Sequence, residues 1–412
     1  MTKGTSPSVE RLRWQDRVIE RIALPRQALT IRESFGSGLS RRQGDPPNHF
    51  WATGDRGPNL KIKTLLADYG ADHLAPLLPV AGAKVMPRVD IGPGIAQFRI
   101  VGDAVERIAS LPVTDANGAP VSGLAMPSSA HVLGEPVFDL AGSPLQPDPS
   151  GLDTEGIVAL EDGSFLLSEE FGPSLVRLGR DGRVAARHVA KGTGLSGARY
   201  PVHETLPAIA GTRQLNRGFE AIAVSIDQKT LFVAFQSPLA HPDEQTHARA
   251  RHVRIWQLDA ATLEVTRQYL YPLDPPESFV RDCAQGPVEL SDLKVSEMVT
   301  LPGGGLLVLE RASHTTKIYR IALSDALALG PEHLVRATRP TVEELSARGA
   351  PLPELAKQLV FSSDDAPEIS PDLEGMAVLS PRELLLVNDN DFGVEGAETA
   401  FWKLTFPDPS LV

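Results

Sequence analysis

A weak internal repeat constrains the fold of this 412-residue chain more than any other feature. Each copy contains a glutamate, a short apolar segment, a turn and a second apolar segment that ends in polar or acidic residues. Four copies begin at Asp153, Gly218, Val295 and Asp372, and a degenerate fifth begins at Ser37. The leading glutamates of the four clear copies are Glu155, Glu220, Glu297 and Glu374. Repeats built from short apolar segments predict a toroidal fold that grows by adding units.

Each copy has the pattern of a β-hairpin. The segments IVAL and FLLS flank a turn at residues 161–163, and VTL and LLVL flank a glycine-rich turn at residues 302–305. Nearly continuous apolar runs are typical of strands buried on both faces. A more polar second hairpin follows from Ser174 and from His252, and two hairpins make a four-stranded blade. We therefore predict an all-β fold, a β-propeller with five blades visible in sequence and room for a sixth in residues 113–149.

Two segments depart from the repeat. TVEELSARG, over residues 341–349, predicts a short helical insertion, because Thr341 and Glu344 have capping-box spacing and Gly349 follows as a stop. The last unit ends after a third strand, and we expect the N-terminal segment RVIERIAL, from Arg17, to supply the fourth. The predicted division is therefore an N-terminal segment, residues 1–30, that closes the ring, and a single propeller domain, residues 31–412.

Composition excludes several classes of function. The net charge is −12 and no basic run is present, so we expect no nucleic-acid partner. The lone Cys283 excludes an internal disulfide and a cysteine-based zinc site. No apolar stretch is long enough to span a bilayer, and the first residues lack the apolar region of a signal peptide. We expect a periplasmic or secreted protein if a leader has been removed, and the oligomeric state stays open.

The ends of the hairpins are where chemistry is expected. Because a hairpin brings its first and last residues to the same end, Glu155 should lie near Glu169 and Glu170, and Glu374 near Asp389 and Asp391. Carboxylates this close repel one another unless a cation such as Ca²⁺ compensates them. The alternative is that these acids cap turns or pair with neighbouring arginines. Both interpretations stay open at this point.

Several short motifs together resemble the bacterial family called "esterase-like activity of phytase". They are F-W-A-T-G-D-R-G-P from Phe50, D-x-E-G-I from Asp153, S-E-E-x-G-P from Ser168, N-x-G-F-E from Asn216, L-E-R from Leu309, L-E-G-M from Leu373 and N-D-N-D-F from Asn388. The resemblance extends from about Gly36 to Phe406. Ala221 departs from it, because glycine is common at that position.

The resemblance implies a β-propeller related in architecture to calcium-dependent phytases. We predict a calcium-dependent phosphoesterase or phytase-like hydrolase that acts on a small-molecule ester at the channel mouth. A metal-dependent lactonase or carboxylesterase, and a binding propeller with structural calcium, are the alternatives. The predicted catalytic residues are Glu155 and Glu169, and the predicted phosphate-binding residues are Arg56, Arg217 and Arg311. The predicted calcium ligands are Asp55, Glu220, Glu310, Glu374, Asn388, Asp389 and Asp391.

Overall fold

Strands dominate the computed structural model, which describes residues 7–130 and 132–412. The strands are β1 (Ser8–Leu12), β2 (Val18–Ile22), β3 (Leu29–Arg32), β4 (Gly38–Ser40), β5 (His49–Thr53), β6 (Leu60–Lys61), β7 (Lys84–Val85), β8 (Gly94–Val101), β9 (Ala104–Pro112), β10 (Val137–Phe138), β11 (Thr154–Ala159), β12 (Phe165–Glu169), β13 (Ser174–Leu178), β14 (Val184–Ala190), β15 (Val202–Leu206), β16 (Phe219–Val224), β17 (Thr230–Phe235), β18 (His252–Asp259), β19 (Val265–Pro272), β20 (Lys294–Thr300), β21 (Leu306–Arg311), β22 (Thr316–Ile321), β23 (Lys357–Ser362), β24 (Leu373–Ser380), β25 (Glu383–Asn388) and β26 (Phe401–Thr405).

The helices are few and short. The α-helices are α1 (Ile62–Ala67), α2 (Glu244–Arg249), α3 (Val280–Cys283) and α4 (Val342–Ala347). Short 3₁₀ helices lie at Asp72–Leu77, Ala208–Thr212, Pro276–Ser278, Leu290–Asp292, Asp325–Leu327, Pro331–Leu334, Ser363–Asp365 and Asp391–Gly393. In the described ranges, no helix has the length and apolar character that crossing a membrane requires.

Five sheets form the blades of a β-propeller, each with four antiparallel strands, and in the second blade a fifth strand, β15, pairs parallel with β14 at the outer edge. In order from the channel outward they are blade 1 (β4-β5-β8-β9), blade 2 (β11-β12-β13-β14), blade 3 (β16-β17-β18-β19), blade 4 (β20-β21-β22-β23) and blade 5 (β24-β25-β26-β1). The five inner strands contact one another in sequence around the channel, and β24 contacts β4. The predicted all-β propeller is confirmed. The described part of residues 113–149 contains one strand, β10, which pairs with β7, and therefore no sixth blade.

The inner hairpins follow from their apolar sequence. Every residue of β11 and of β12 is buried, because neighbouring blades cover both faces of these strands. The turn between them contains Gly163 at φ +92°, a conformation that favours glycine. Blade 2 thus shows how a continuous apolar run and a turn glycine specify the strand pair nearest the channel.

Small residues let the inner strands approach closely. A Cβ added at Gly156 would lie 2.6 Å from the carbonyl oxygen of Glu220 in the next blade. A Cβ added at Gly38 would lie 2.6 Å from the carbonyl oxygen of Glu155. These two glycines therefore let neighbouring blades approach closely, and at Gly156 the leading glutamate Glu155 directly precedes the contact.

The N-terminus closes the ring, but not through the predicted segment. Ser8–Leu12 pairs antiparallel with β26, whereas Val18–Ile22 forms a hairpin with β3. The prediction for RVIERIAL is therefore wrong. The outermost strand of a blade has one paired edge and is little buried. Only Leu12 is buried in β1, so a mostly polar sequence can form this strand. The division between residues 1–30 and 31–412 stays a prediction.

The predicted helical insertion is confirmed at Val342–Ala347. The Thr341 hydroxyl accepts a hydrogen bond from the Glu344 N–H, and the Glu344 carboxylate accepts one from the Thr341 N–H. Glu343 pairs with Arg254 of blade 3 at 2.7 Å, and both side chains are buried. This ion pair fixes the insertion, which lies between β22 and β23, against the neighbouring blade.

Candidate functional site

A polar cavity of about 280 Å³ lies at the end of the channel where the inner strands begin. Its carboxylate side chains are Asp55, Glu155, Glu170, Glu220, Asp372, Glu374, Asp389, Asp391 and Glu395. Its basic side chains are Arg56, Lys61, Lys84, Lys294 and Arg311. Nine carboxylates thus surround the cavity with five basic groups, so acidic groups are in excess.

Three leading glutamates reach this cavity from equivalent positions. Glu155, Glu220 and Glu374 are each the second residue of an inner strand, in blades 2, 3 and 5. All three line the cavity, as the repeat predicts. Asp55, Asp389 and Asp391, which follow the second strands of blades 1 and 5, line it as well.

Glu297 does not join them, although the repeat, in which it is the leading glutamate of its copy, predicts that it lies at the same end of the channel. In the hairpin register of blade 4, Met298 takes the place that Ile222 has in blade 3, so Ser296 occupies the position of the leading glutamate. A shift of one residue turns a strand side chain to the other face. The Glu297 carboxylate accepts hydrogen bonds from the backbone N–H of Leu39 at 3.1 Å and of Met298 at 3.0 Å. Burial raises its pKa.

Seven carboxylates form one continuous cluster. It consists of three groups, in each of which one oxygen per residue lies within 4.8 Å of the others. We call them the aspartate group (Asp55, Asp389, Asp391), the glutamate group (Glu155, Glu170, Glu220) and the mixed group (Asp55, Asp153, Glu155). Asp55 and Glu155 each belong to two groups, so all three are contiguous.

Burial and mutual repulsion raise the pKa of several carboxylates in this cluster. Burial, followed by the charge of Glu220, raises the pKa of Glu170 to about 8. Burial, followed by the charge of Asp391, raises the pKa of Asp389 to about 8. The pKa of Glu155 is also raised well above its usual range, first by burial and then by Glu220. A bound cation would offset both burial and repulsion.

Several buried oxygens of the site have no hydrogen-bond donor among the described residues. They are Oε1 of Glu170, Oε2 of Glu220, Oδ1 of Asp153 and Oε1 of Gln236. Buried acceptors are normally satisfied, so unpartnered ones indicate a missing ligand. Glu220 is only 1% exposed, so bulk water does not solvate it freely. Carboxylate and amide oxygens are the ligands that Ca²⁺ and other hard cations prefer.

Arg56 is held by protein groups on several sides. Its Nη1 lies 2.7 Å from Oε2 of Glu135, and its Nη2 lies 2.9 Å from Oδ2 of Asp153. Nη2 also donates to Oδ1 of Asn216 at 2.5 Å, and the guanidinium carbon lies 4.8 Å from the centre of the Phe171 ring. Arg56 therefore lines the cavity as a fixed cation within the carboxylate cluster.

Arg311 and Lys294 form a basic wall contributed by blade 4. Arg311 Nε donates to Oγ of Ser296 at 2.9 Å, its Nη1 lies 3.0 Å from Asp372, and its Nη2 pairs with Glu374. The Asp372 side chain is 51% exposed, so water competes for that pair. The charge of Arg311, and then burial, lower the pKa of Lys294 to about 7.

Glu169 and Glu310 lie outside the cavity, in buried ion pairs. Glu169 Oε2 is 2.6 Å from Nη2 of Arg187 and accepts a hydrogen bond from the Ser174 hydroxyl at 2.7 Å. Glu310 Oε2 is 2.6 Å from Nζ of Lys357. Successive strand residues point to opposite sides. The neighbours of these two glutamates in sequence, Glu170 and Arg311, face the cavity instead.

Asn388 and Arg217 also lie outside the cavity lining. The Asn388 side chain accepts a hydrogen bond from the Ala400 N–H at 2.6 Å and donates to the Glu398 carbonyl at 3.2 Å, so it fixes the loop after β25. Arg217 donates to the carbonyl of Ser291 at 3.2 Å. Neither of these two predicted site residues lines the cavity, although the charge of Arg217 acts on Glu170 and Glu220.

The sequence analysis gave no role to several other residues of the site. They are Asp153, Glu170, Asp372 and Glu395 among the acids, Lys61, Lys84 and Lys294 among the bases, and Asn216. A signal existed for Glu170, because strand alternation allows only one of the pair Glu169–Glu170 to face the channel. Lys84 comes from the small sheet of β6, β7 and β10, which is outside the repeat, so no repeat signal marks it.

A sequence model of the family described as "Phytase-like: Esterase-like activity of phytase" matches residues 35–392. An uncharacterized secreted protein of the fungus Arthroderma benhamiae is 30% identical over 339 residues, which are 70% of this chain and 62% of that protein. The chain thus spans less than two thirds of the length of that relative. Because this relative is fungal, the bacterial origin stays a prediction.

Solved structures with similar folds include two enzymes. A luciferin-regenerating enzyme is 11% identical with a TM-score of 0.37, and the match covers 97% of this chain and 95% of that one. A gluconolactonase from Xanthomonas campestris is 9% identical with a TM-score of 0.35, and the match covers 98% of this chain and 99% of that one.

Proposed function

The chain belongs to the family described as esterase-like activity of phytase, and we propose that it is a hydrolase of phosphoesters that depends on calcium. The proposed active site is the polar cavity at the channel mouth. The observation that carries the proposal is the continuous carboxylate cluster, in which buried oxygens of Glu170, Glu220 and Asp153 lack donors, beside the basic wall of Arg311 and Lys294.

The residues present fit a hard divalent cation. The aspartate group and the glutamate group offer only carboxylate oxygens, and unpartnered atoms belong to Glu170 and Glu220. These two groups would hold the ions. When bound, calcium would neutralise substrate phosphate and lower the pKa of a coordinated water. The related Arthroderma benhamiae protein is described as secreted, which supports a location outside the cytoplasm, where even weak calcium sites are filled.

The chain's own residues would bind and orient the substrate. Arg311 and Lys294 would hold the anionic group, since the exposed Asp372 can exchange its place on Arg311 for a substrate oxygen. Glu155 joins the glutamate and mixed groups and lines the cavity, so we assign it to accept the proton of the attacking water. Glu169 takes no part in this scheme, because it is buried in its pair with Arg187.

Hydrolysis of a substrate panel tests the proposal. The chelator-stripped protein, with and without added calcium, should hydrolyse p-nitrophenyl phosphate or phytate only when calcium is present. Asp389→Asn combined with Asp391→Asn should abolish that activity, because amides are poorer ligands for hard cations. The matched control is Asp365→Asn with Asp408→Asn, two exposed aspartates outside the cavity, which should leave turnover unchanged.

Other outcomes identify the alternatives. Calcium-dependent turnover of a lactone or a p-nitrophenyl carboxylester, without turnover of phosphoesters, would assign the site to a lactonase or carboxylesterase. Calcium binding without turnover of any of these substrates would indicate a binding propeller in which the ion is structural. Hydrolysis of phosphoesters that persists after chelation would contradict the proposed calcium dependence.

A further inference from the structure

The mixed group differs from the other two groups because it contains Asp153, the carboxylate of the cluster that lies closest to the Arg56 guanidinium, at 2.9 Å. We infer that the Arg56 guanidinium takes the place of a metal ion at the mixed group, so that cations bind only at the aspartate and glutamate groups. This inference rests on the proposed function, since it assumes that the cluster binds cations. It also gives Arg56 a role different from the phosphate binding predicted from sequence.

The contacts of Arg56 place its charge inside the cluster. Nη2 lies 2.9 Å from Asp153 and 3.8 Å from Glu170, and Nε lies 3.7 Å from Asp55. Nη1 lies 2.7 Å from Glu135, which stands behind the cluster. The Arg56 guanidinium thus lies within ion-pair distance of four carboxylates. A bound metal ion contacts several carboxylate ligands in the same way.

The remaining carboxylates have no comparable partner. Among the described residues, no lysine or arginine nitrogen forms an ion pair within 4.0 Å of Asp389, Asp391, Glu155 or Glu220. Arg56 reaches the aspartate and glutamate groups only at longer distances, 3.7 Å from Asp55 and 3.8 Å from Glu170, and the other carboxylates of these two groups have no ion pair with a described residue. These two groups are where an external cation is needed.

Burial and neighbouring side chains fix the position of the Arg56 guanidinium. The residue is 3% exposed, Asn216 accepts a hydrogen bond from it, and the Phe171 ring lies against it. Arginine stays charged at every physiological pH, and its planar fork suits several carboxylates at once. A divalent ion at the mixed group would lie within a few ångströms of this charge and be repelled.

The number of calcium ions bound per chain tests this inference. Equilibrium dialysis of the chelator-stripped full chain gives the count for wild type, and Asp153→Asn should leave that count unchanged. If a metal ion occupied the mixed group, Asp153→Asn would remove one ion, and that result would overturn the inference. The readout is binding, so it does not depend on turnover.

Changes at Arg56 give the converse test. Arg56→Gln should raise the count by one ion, because the mixed group then lacks its cation. Arg56→Lys, which keeps the charge, should leave the count as in wild type. A folded Arg56→Gln protein with the wild-type count would refute the role of Arg56. Should Arg56→Gln not fold, Asp153→Asn still decides. If wild type binds no calcium at all, both the proposed cation sites and this inference are wrong.

Discussion

Glu170→Gln should remove a large part of the pH dependence of stability in the chelator-treated protein. Burial and the charge of Glu220 raise the pKa of Glu170 from 4.5 to about 8 in the folded chain. The folded chain therefore binds this proton more tightly than the unfolded chain does. The free energy of unfolding must then fall as the pH rises from about 4.5 to about 8, because in this range the unfolded chain ionises Glu170 more readily than the folded chain does.

The size of the effect follows from the difference in pKa. A difference of about 3.5 pKa units, at about 1.4 kcal/mol per unit, corresponds to about 5 kcal/mol between the two ends of the window. Glutamine keeps the shape of the side chain and removes its titration. The variant should therefore resemble wild type at pH 5 and be more stable than wild type at pH 8.

Denaturant unfolding in the presence of a chelator, at several pH values from 5 to 8, measures this slope. Asp389, whose pKa is likewise raised to about 8 by burial and by Asp391, remains in the variant, so its slope should be shallower rather than zero. Glu264→Gln, at an exposed glutamate far from the cavity lining, is the matched control and should keep the wild-type slope. Equal slopes for wild type and Glu170→Gln would refute the reasoning.

Three further predictions concern the fold. Deleting residues 1–12 should lower the melting temperature, because it leaves β26 as an unpaired edge and opens the ring; an unchanged melting temperature would contradict this closure. Arg187→Met should destabilise the chain by about 3–5 kcal/mol in denaturant unfolding, because it leaves Glu169 buried and unpaired, while calcium affinity should stay unchanged. Gly156→Ala should cost about 1–3 kcal/mol, since its methyl group meets the Glu220 carbonyl, and a stability equal to wild type would argue against that close approach.

The inner half of each blade could be predicted from sequence because burial on both faces demands apolar residues. The hairpin of β11 and β12 follows from its apolar runs and its turn glycine, and the capping box locates α4. The outer strand β1 could not be found in the same way. Only its Leu12 is buried, and its position depends on the edge that β26 leaves free rather than on its own composition.

The candidate site was predictable where hairpin geometry alone determines it. Glu155 and Glu374 line the cavity because the first and last residues of a hairpin lie at one end. Glu297 could not be placed correctly, because the spacing of the glutamates in sequence does not reveal that the β20–β21 hairpin is shifted by one residue in register. The partners of Arg56 were also hidden, since Glu135 comes from a loop outside the repeat.

Calcium binding by the carboxylate cluster is the central claim, and the melting temperature of the chelator-stripped protein tests it most directly. A ligand that binds only the folded chain stabilises it by about 2.7 kcal/mol at 100 times its dissociation constant. Calcium should therefore raise the melting temperature of wild type, and Asp389→Asn with Asp391→Asn should lose most of that rise. If neither calcium nor any other divalent cation raises the melting temperature of wild type, the cluster is not a cation site.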